Sequence, residues 1–130
     1  MNLELMKHAK ILIVDDEPAN LGVLLNGLHE LECTILLAQN GETALEIADK
    51  EQPDMLLLDI LMPGLDGFEV ARRVQENAGD REPPIVMFIT ALRDASDKVR
   101  GFELGAVDFI TKPFKPDILL SKVRIFLELD

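Results

Sequence analysis

Tryptophan and tyrosine are absent from this 130-residue chain, and aromatic residues make up only 5% of it. Cysteine occurs once, at Cys33, which excludes an internal disulfide and fits a reducing compartment. Positive charge is scarce: 13 Lys and Arg stand against 24 Asp and Glu, a net charge of -11. So acidic a chain repels phosphate backbones, which argues against direct nucleic-acid binding. It suits cations, basic partner surfaces and solubility instead. No apolar run reaches the roughly 18 residues of a membrane helix, so no membrane association is expected. The stretch from Met1 to Lys10 lacks an apolar core with a small-residue cleavage site, so no signal peptide is visible and the expected location is the cytoplasm. Internal repeats and low-complexity tracts are missing too. With 48% apolar and 28% charged residues, the chain is neither disordered nor fibrous, and its length suits one domain with one sizeable core.

What the sequence does contain is an alternation of two textures. Short continuous apolar runs occur at Ile11–Val14, Thr34–Leu37, Met55–Leu58, Ile85–Ile89 and Val107–Ile110. Runs of this length without polar alternation predict strands buried on both faces, as in a parallel sheet. Between them the spacing becomes helical. Leu21, Leu24, Leu25 and Leu28 fall on one helix face. Leu45 and Ala48, after Asn40–Gly41, predict a second helix. Asp66 with Glu69 predicts a capping box opening a third helix, with Val70, Ala71 and Val74 as its buried stripe. Ala95, Val99 and Phe102 stripe a fourth helix, which Gly105 stops. A fifth starts near Pro116 and carries Leu119, Val123 and Phe126. Asn77 to Pro84 is expected to be a surface loop. Strand followed by helix five times over predicts a doubly wound α/β fold with right-handed crossovers.

Ligands of open α/β sheets bind beyond the carboxyl ends of the strands. Here the first strand ends in Asp15–Asp16, the third in Asp59, the fourth in Thr90–Ala91 and the fifth in Thr111–Lys112–Pro113. Each has an ordinary explanation alone: Asp15–Asp16 as a helix cap, Asp59 as a strand terminus, Asp66 as an N-cap, Lys112 as a solvated turn residue. Their joint placement at strand ends is what points to a site. If the first and third strands are neighbours, three carboxylates converge. Two unit charges about 4 Å apart repel by roughly 1 kcal/mol in water and roughly 4 kcal/mol at an effective dielectric of 20, so a cation or a proton must offset them. Oxygen-only donors suit Mg²⁺, and Lys112 adds a compact positive charge. No Ser, Cys or His stands at these strand ends, so a nucleophile there would be a carboxylate forming an acyl phosphate. His8 and His29 show no metal-ligand spacing and are expected at the surface. Cys33 is expected to be a buried or half-buried small hydrophobe.

Together, Ile11-Leu12-Ile13-Val14-Asp15-Asp16-Glu17-Pro18, the stretch Asp59-Ile60-Leu61-Met62-Pro63-Gly64-Leu65-Asp66-Gly67, Ile89-Thr90-Ala91, Gly105-Ala106-Val107-Asp108-Phe109 and Thr111-Lys112-Pro113-Phe114 resemble the receiver domain of two-component response regulators. The resemblance runs from about Lys10 to Leu129. It implies residues 1–9 as an N-terminal extension and 10–130 as the receiver domain. It also implies a flavodoxin-like five-stranded parallel sheet of order 2-1-3-4-5. Asp59 would be the phosphoacceptor, fed by a histidine kinase phosphohistidine or a phosphotransfer protein. Asp16, Asp59 and the Leu61 carbonyl would ligate Mg²⁺, with Asp15 acting through water. Thr90 and Lys112 would contact the phosphoryl oxygens, Lys112–Pro113 would be cis, and Phe109 would be the switching aromatic. The face of the fourth helix, fifth strand and fifth helix would carry the output or a homodimer seam, with an output domain outside this chain. Such a domain promotes its own phosphorylation and dephosphorylation and is not an enzyme in its own right. The bulky Leu61 and Leu92, two residues after Asp59 and Thr90, would make self-dephosphorylation slow. The apolar end of the fifth helix (Ile125, Phe126, Leu127, Leu129) suggests a piece of a longer protein or a dimer contact.

Three alternatives differ in kind. An aspartate-nucleophile phosphatase of haloacid-dehalogenase type needs a second acid two residues after the nucleophile, where this chain has Leu61. A flavin or dinucleotide binder would need a Gly-rich turn after the first strand, and three acids there would repel a phosphate. A phosphorylation-independent interaction module on the same fold ranks second but well behind, because every residue that phosphorylation would need is present.

Overall fold

The computed structural model describes residues 8–91 and 95–129. The chain alternates β1 (Lys10–Val14), α1 (Pro18–Gly27), β2 (Thr34–Ala38), α2 (Gly41–Glu51), β3 (Met55–Asp59), α3 (Gly67–Ala78), β4 (Ile85–Thr90), α4 (Ala95–Glu103), β5 (Asp108–Thr111) and α5 (Pro116–Leu129), with a short 3-10 turn at His29–Leu31. The strands form one five-stranded sheet of order β2-β1-β3-β4-β5, and every pairing is parallel. This is the flavodoxin-like architecture expected from the sequence. No helix among the described residues is long and apolar enough to cross a membrane.

Continuous apolar strands make sense because alternate residues serve opposite faces. Ile11, Ile13, Leu57, Met87 and Ile89 pack with Leu21, Leu24, Leu119, Val123 and Leu127 on the side of α1 and α5. Leu12, Val14, Leu56, Leu58 and Phe88 pack with Ala44, Phe68, Val70 and Val74 on the side of α2 and α3. β1 and β3 are buried almost throughout.

Several expectations need correction. β2 is an edge strand and only part-buried, with Leu37 40% exposed, because no strand among the described residues pairs with its outer side. Leu25 does not join the buried stripe of α1; the stripe is Leu21 and Leu24, completed by Leu28 at the C-cap, and Leu25 is turned to solvent. On α4, Val99 is 54% and Phe102 50% exposed. The helix instead turns Gly101 inward, where a Cβ would lie 2.6 Å from Phe109 Cζ. The Ala95 side chain lies outside those described. α3 runs two residues into the expected loop, to Ala78. Its capping box is half formed: Asp66 Oδ1 accepts the Glu69 N–H at 2.9 Å, while the Glu69 carboxylate pairs with Arg72 and Arg73. Those arginines hold the Glu69 pKa down at about 2. His8 and His29 are exposed, and Cys33 is half-buried, its thiol pKa raised by burial.

Candidate functional site

Parallel pairing of β1 with β3 brings Val14 opposite Leu58, so the residues that follow, Asp15 and Asp16, arrive beside Asp59 at one end of the sheet. One carboxylate oxygen from each of the three lies within 4.8 Å of the others. Asp15 is fully buried and Asp59 3% exposed, while Asp16 faces solvent. The start of α1 fixes Asp15: Oδ1 accepts the Glu17 N–H at 2.9 Å and lies 3.4 Å from Asn20 Nδ2. Its other oxygen is thereby turned toward the cluster.

Lys112 enters from the end of β5. Its Nζ lies 3.3 Å from Asp59 Oδ2 and 3.4 Å from Asp15 Oδ2. Burial works against its charge, but the two carboxylates outweigh it and hold the lysine pKa above its ordinary value. Asp59 shifts the other way from a salt-bridged acid. Burial and the neighbouring Asp15 push it up to about 6, against the pull of Lys112 and a hydrogen bond from the Leu61 backbone. One ammonium therefore does not balance the acids. Asp15 Oδ2 is also buried without a hydrogen bond, although it lies within ion-pair distance of Lys112. An orphaned buried oxygen, a carboxylate with a raised pKa and an all-oxygen donor set fit a hard divalent cation.

Thr90 ends β4, buried, and its carbonyl accepts the Lys112 N–H at 3.0 Å. The Lys112–Pro113 peptide is cis. The Leu61 side chain is 61% exposed. Leu92 lies outside the described residues. Phe109 is 6% exposed, with its ring centroid 5.8 Å from Phe88 and 5.2 Å from Phe102.

Two contributors were not singled out from the sequence. Asn20 helps hold Asp15. Gly67, the first residue of α3, sits so close to the end of β3 that a Cβ would clash with the Asp59 carbonyl. Its N–H donates to the Ile60 carbonyl at 2.9 Å, tying the start of α3 to the end of β3. The available signal was a glycine directly after an N-cap aspartate, where helix propensity gives it no advantage.

The response regulator receiver domain family profile matches residues 11–124. Response regulator PleD of Caulobacter vibrioides is 42% identical over 116 residues, covering 89% of this chain and 25% of PleD. The "Probable transcriptional regulator ycf27" of Guillardia theta is 39% identical over 127 residues, covering 98% of this chain and 48% of that protein. The chain thus spans half or less of the length of these curated relatives. Among solved structures, the BeF3-activated receiver domain of DrrB matches with a TM-score of 0.82 and 35% identity, covering 93% of this chain and 98% of that one. Vibrio cholerae chemotaxis protein CheY4, crystallised at low pH, matches with a TM-score of 0.83 and 27% identity, covering 91% of this chain and 98% of that one. The chain belongs to the response regulator receiver domain family, the signalling domain of two-component systems.

Proposed function

We propose that residues 10–130 act as a phosphoacceptor, with Asp59 taking a phosphoryl group from the phosphohistidine of a histidine kinase or phosphotransfer protein. The observation that carries this reading is the convergence of Asp15, Asp16 and Asp59 with Lys112 at 3.3 Å from the acceptor oxygen. An Asp59 oxygen attacks phosphorus, the phosphorus–nitrogen bond breaks, and the imidazole keeps that electron pair. The product is an acyl phosphate, which water later cleaves to the carboxylate and inorganic phosphate. Lys112 stabilises charge on the transferring oxygens from a fixed position, and the buried Thr90 hydroxyl would meet the phosphoryl group after transfer. Asp15, Asp16, Asp59 and the Leu61 carbonyl would hold Mg²⁺. When bound, the ion supplies neutralising charge to the site and the phosphoryl oxygens.

Phe109 already occupies the interior, in space left by Gly101. The proposed switch is a population shift between ring-buried and ring-exposed packings, biased by Thr90 and read on the α4-β5-α5 face. Val99 and Phe102 on α4, Val107 before β5, and Ile118 and Ile125 on α5 are exposed apolar residues. They would supply contacts to an output domain outside this chain or to a second copy in a homodimer. The acidic surface argues against direct nucleic-acid contact.

The test is incubation with acetyl phosphate, with and without Mg²⁺, followed by intact mass measurement. The native chain gains one phosphoryl group only with Mg²⁺, and Asp59→Asn gains none. No incorporation into the native chain would contradict the proposal and leave a phosphorylation-independent interaction module.

A further inference from the structure

The two carboxylate oxygens of Asp15 are held differently. Oδ1 is tied to the start of α1 by two donors, the Glu17 N–H at 2.9 Å and Asn20 Nδ2 at 3.4 Å. Oδ2 is buried without a hydrogen bond, and Lys112 Nζ stands 3.4 Å from it. Asn20 is half-buried in the first turn of α1, and the same amide nitrogen lies 3.1 Å from Glu17 Oε2. Between two carboxylates only the NH₂ end of that amide can form both bonds. Asn20 thus holds one end of a carboxylate whose other end is open to two positive charges, the ammonium of Lys112 and a cation among the three acids.

A single donor does not fix a carboxylate. The terminal torsion of aspartate is broad and roughly two-fold, so with the Glu17 N–H alone the group could pivot about Oδ1. A pivot toward the ammonium is attractive, because a charge-assisted hydrogen bond is strongest at about 2.7–2.9 Å, shorter than the 3.4 Å seen here. It would commit Oδ2 to Lys112 and leave a cation one acid fewer with a free oxygen. A second donor on Oδ1, reaching in from α1, resists that pivot.

We propose that Asn20 is a positioning residue: acting through Asp15, it keeps Oδ2 available to a divalent cation against capture by Lys112. The role rests on Asp15, Asp16 and Asp59 forming the proposed cation site, and decides which positive charge Asp15 serves. Lys112 is left to Asp59, 3.3 Å away, and to the transferring oxygens. Groups that orient a metal's carboxylate ligands ordinarily change metal affinity by about tenfold to a hundredfold. The 3.4 Å contact of Asn20, backed by the Glu17 N–H, places it at or below the low end.

Mg²⁺ titrations of the isotopically labelled chain without phosphodonor, followed by the amide shifts of Asp16 and Leu61, test this. Asn20→Leu removes the donor while favouring the helix, and weakens Mg²⁺ about threefold to tenfold. In a Lys112→Met background the same change weakens Mg²⁺ by less than about twofold, because no ammonium competes for Oδ2. With acetyl phosphate, Asn20→Leu needs more Mg²⁺ for half-maximal labelling, by the factor lost in affinity, yet reaches the native rate at saturation. An equal loss in both backgrounds would overturn the proposal, since Asn20 would then serve only α1. So would labelling that stays slow at saturating Mg²⁺. Native Mg²⁺ affinity in Asn20→Leu would overturn this inference alone, whereas a native chain that shows no Mg²⁺ shifts would overturn the cation site with it.

Discussion

Asp59 carries the most consequential charge in the molecule. Burial and Asp15 lift its pKa from the ordinary 3.8 to about 6. Between those values the folded chain holds a proton that the unfolded chain has released. This contribution to stability is therefore complete below about pH 4, falls as pH rises to about 6, and is flat above. Without divalent cations, Asp59→Asn should stabilise the fold at pH 7 by about 1–3 kcal/mol, with the gain vanishing near pH 4. Urea unfolding of both chains across that range checks this. A variant less stable than the native chain at pH 7 would mean that Lys112 outweighs burial and Asp15. Leu61 permits a second prediction. Its exposed side chain offers no group to orient an attacking water, so the aspartyl phosphate should decay slowly. Leu61→Asn should speed decay by about tenfold if the amide positions that water. Decay of the native phosphoprotein within seconds, or no response to the substitution, would count against it.

At the level of elements, α4 shows where sequence pattern and packing part company. The spacing of Ala95, Val99 and Phe102 looks like a buried stripe, yet Val99 and Phe102 are exposed and the inward position belongs to Gly101. A glycine gives no hydrophobic signal, so periodicity could not mark it. Replacing it tests the packing. In a helix, Gly→Ala ordinarily gains about 1 kcal/mol. Here the added methyl would lie 2.6 Å from Phe109 and 3.0 Å from Phe88, and overpacking of that kind costs about 1–3 kcal/mol. Gly101→Ala should therefore destabilise the chain or drive Phe109 outward, seen as a lower melting temperature or a shifted fluorine resonance in fluorophenylalanine-labelled protein. A more stable variant with Phe109 unmoved would contradict this packing. The strands were easier to read because burial on both faces leaves an uninterrupted apolar run; β2 misled because an edge strand can carry the same residues half-exposed. Glu69 misled because Arg72 and Arg73 compete for the carboxylate that a full capping box would use.

For the molecule as a whole, topology converts a sequence pattern into a site. Asp15, Asp16, Asp59 and Lys112 could be picked out because acids and a lysine directly after apolar strands must surface at one end of a parallel sheet. The β2-β1-β3-β4-β5 order then makes the first two strand ends that carry acids adjacent. Contacts made by backbone were not legible: the approach of Gly67 to the Asp59 carbonyl, and the tethering of one Asp15 oxygen by the start of α1. The account stands on Asp59 being the group that takes the phosphoryl. Borohydride reduction after phosphorylation converts an acyl phosphate to the corresponding alcohol, which peptide mass analysis can locate. The account predicts homoserine at position 59, only when both phosphodonor and Mg²⁺ are present. Reduction at Asp15 or Asp16, or at no residue, would contradict it.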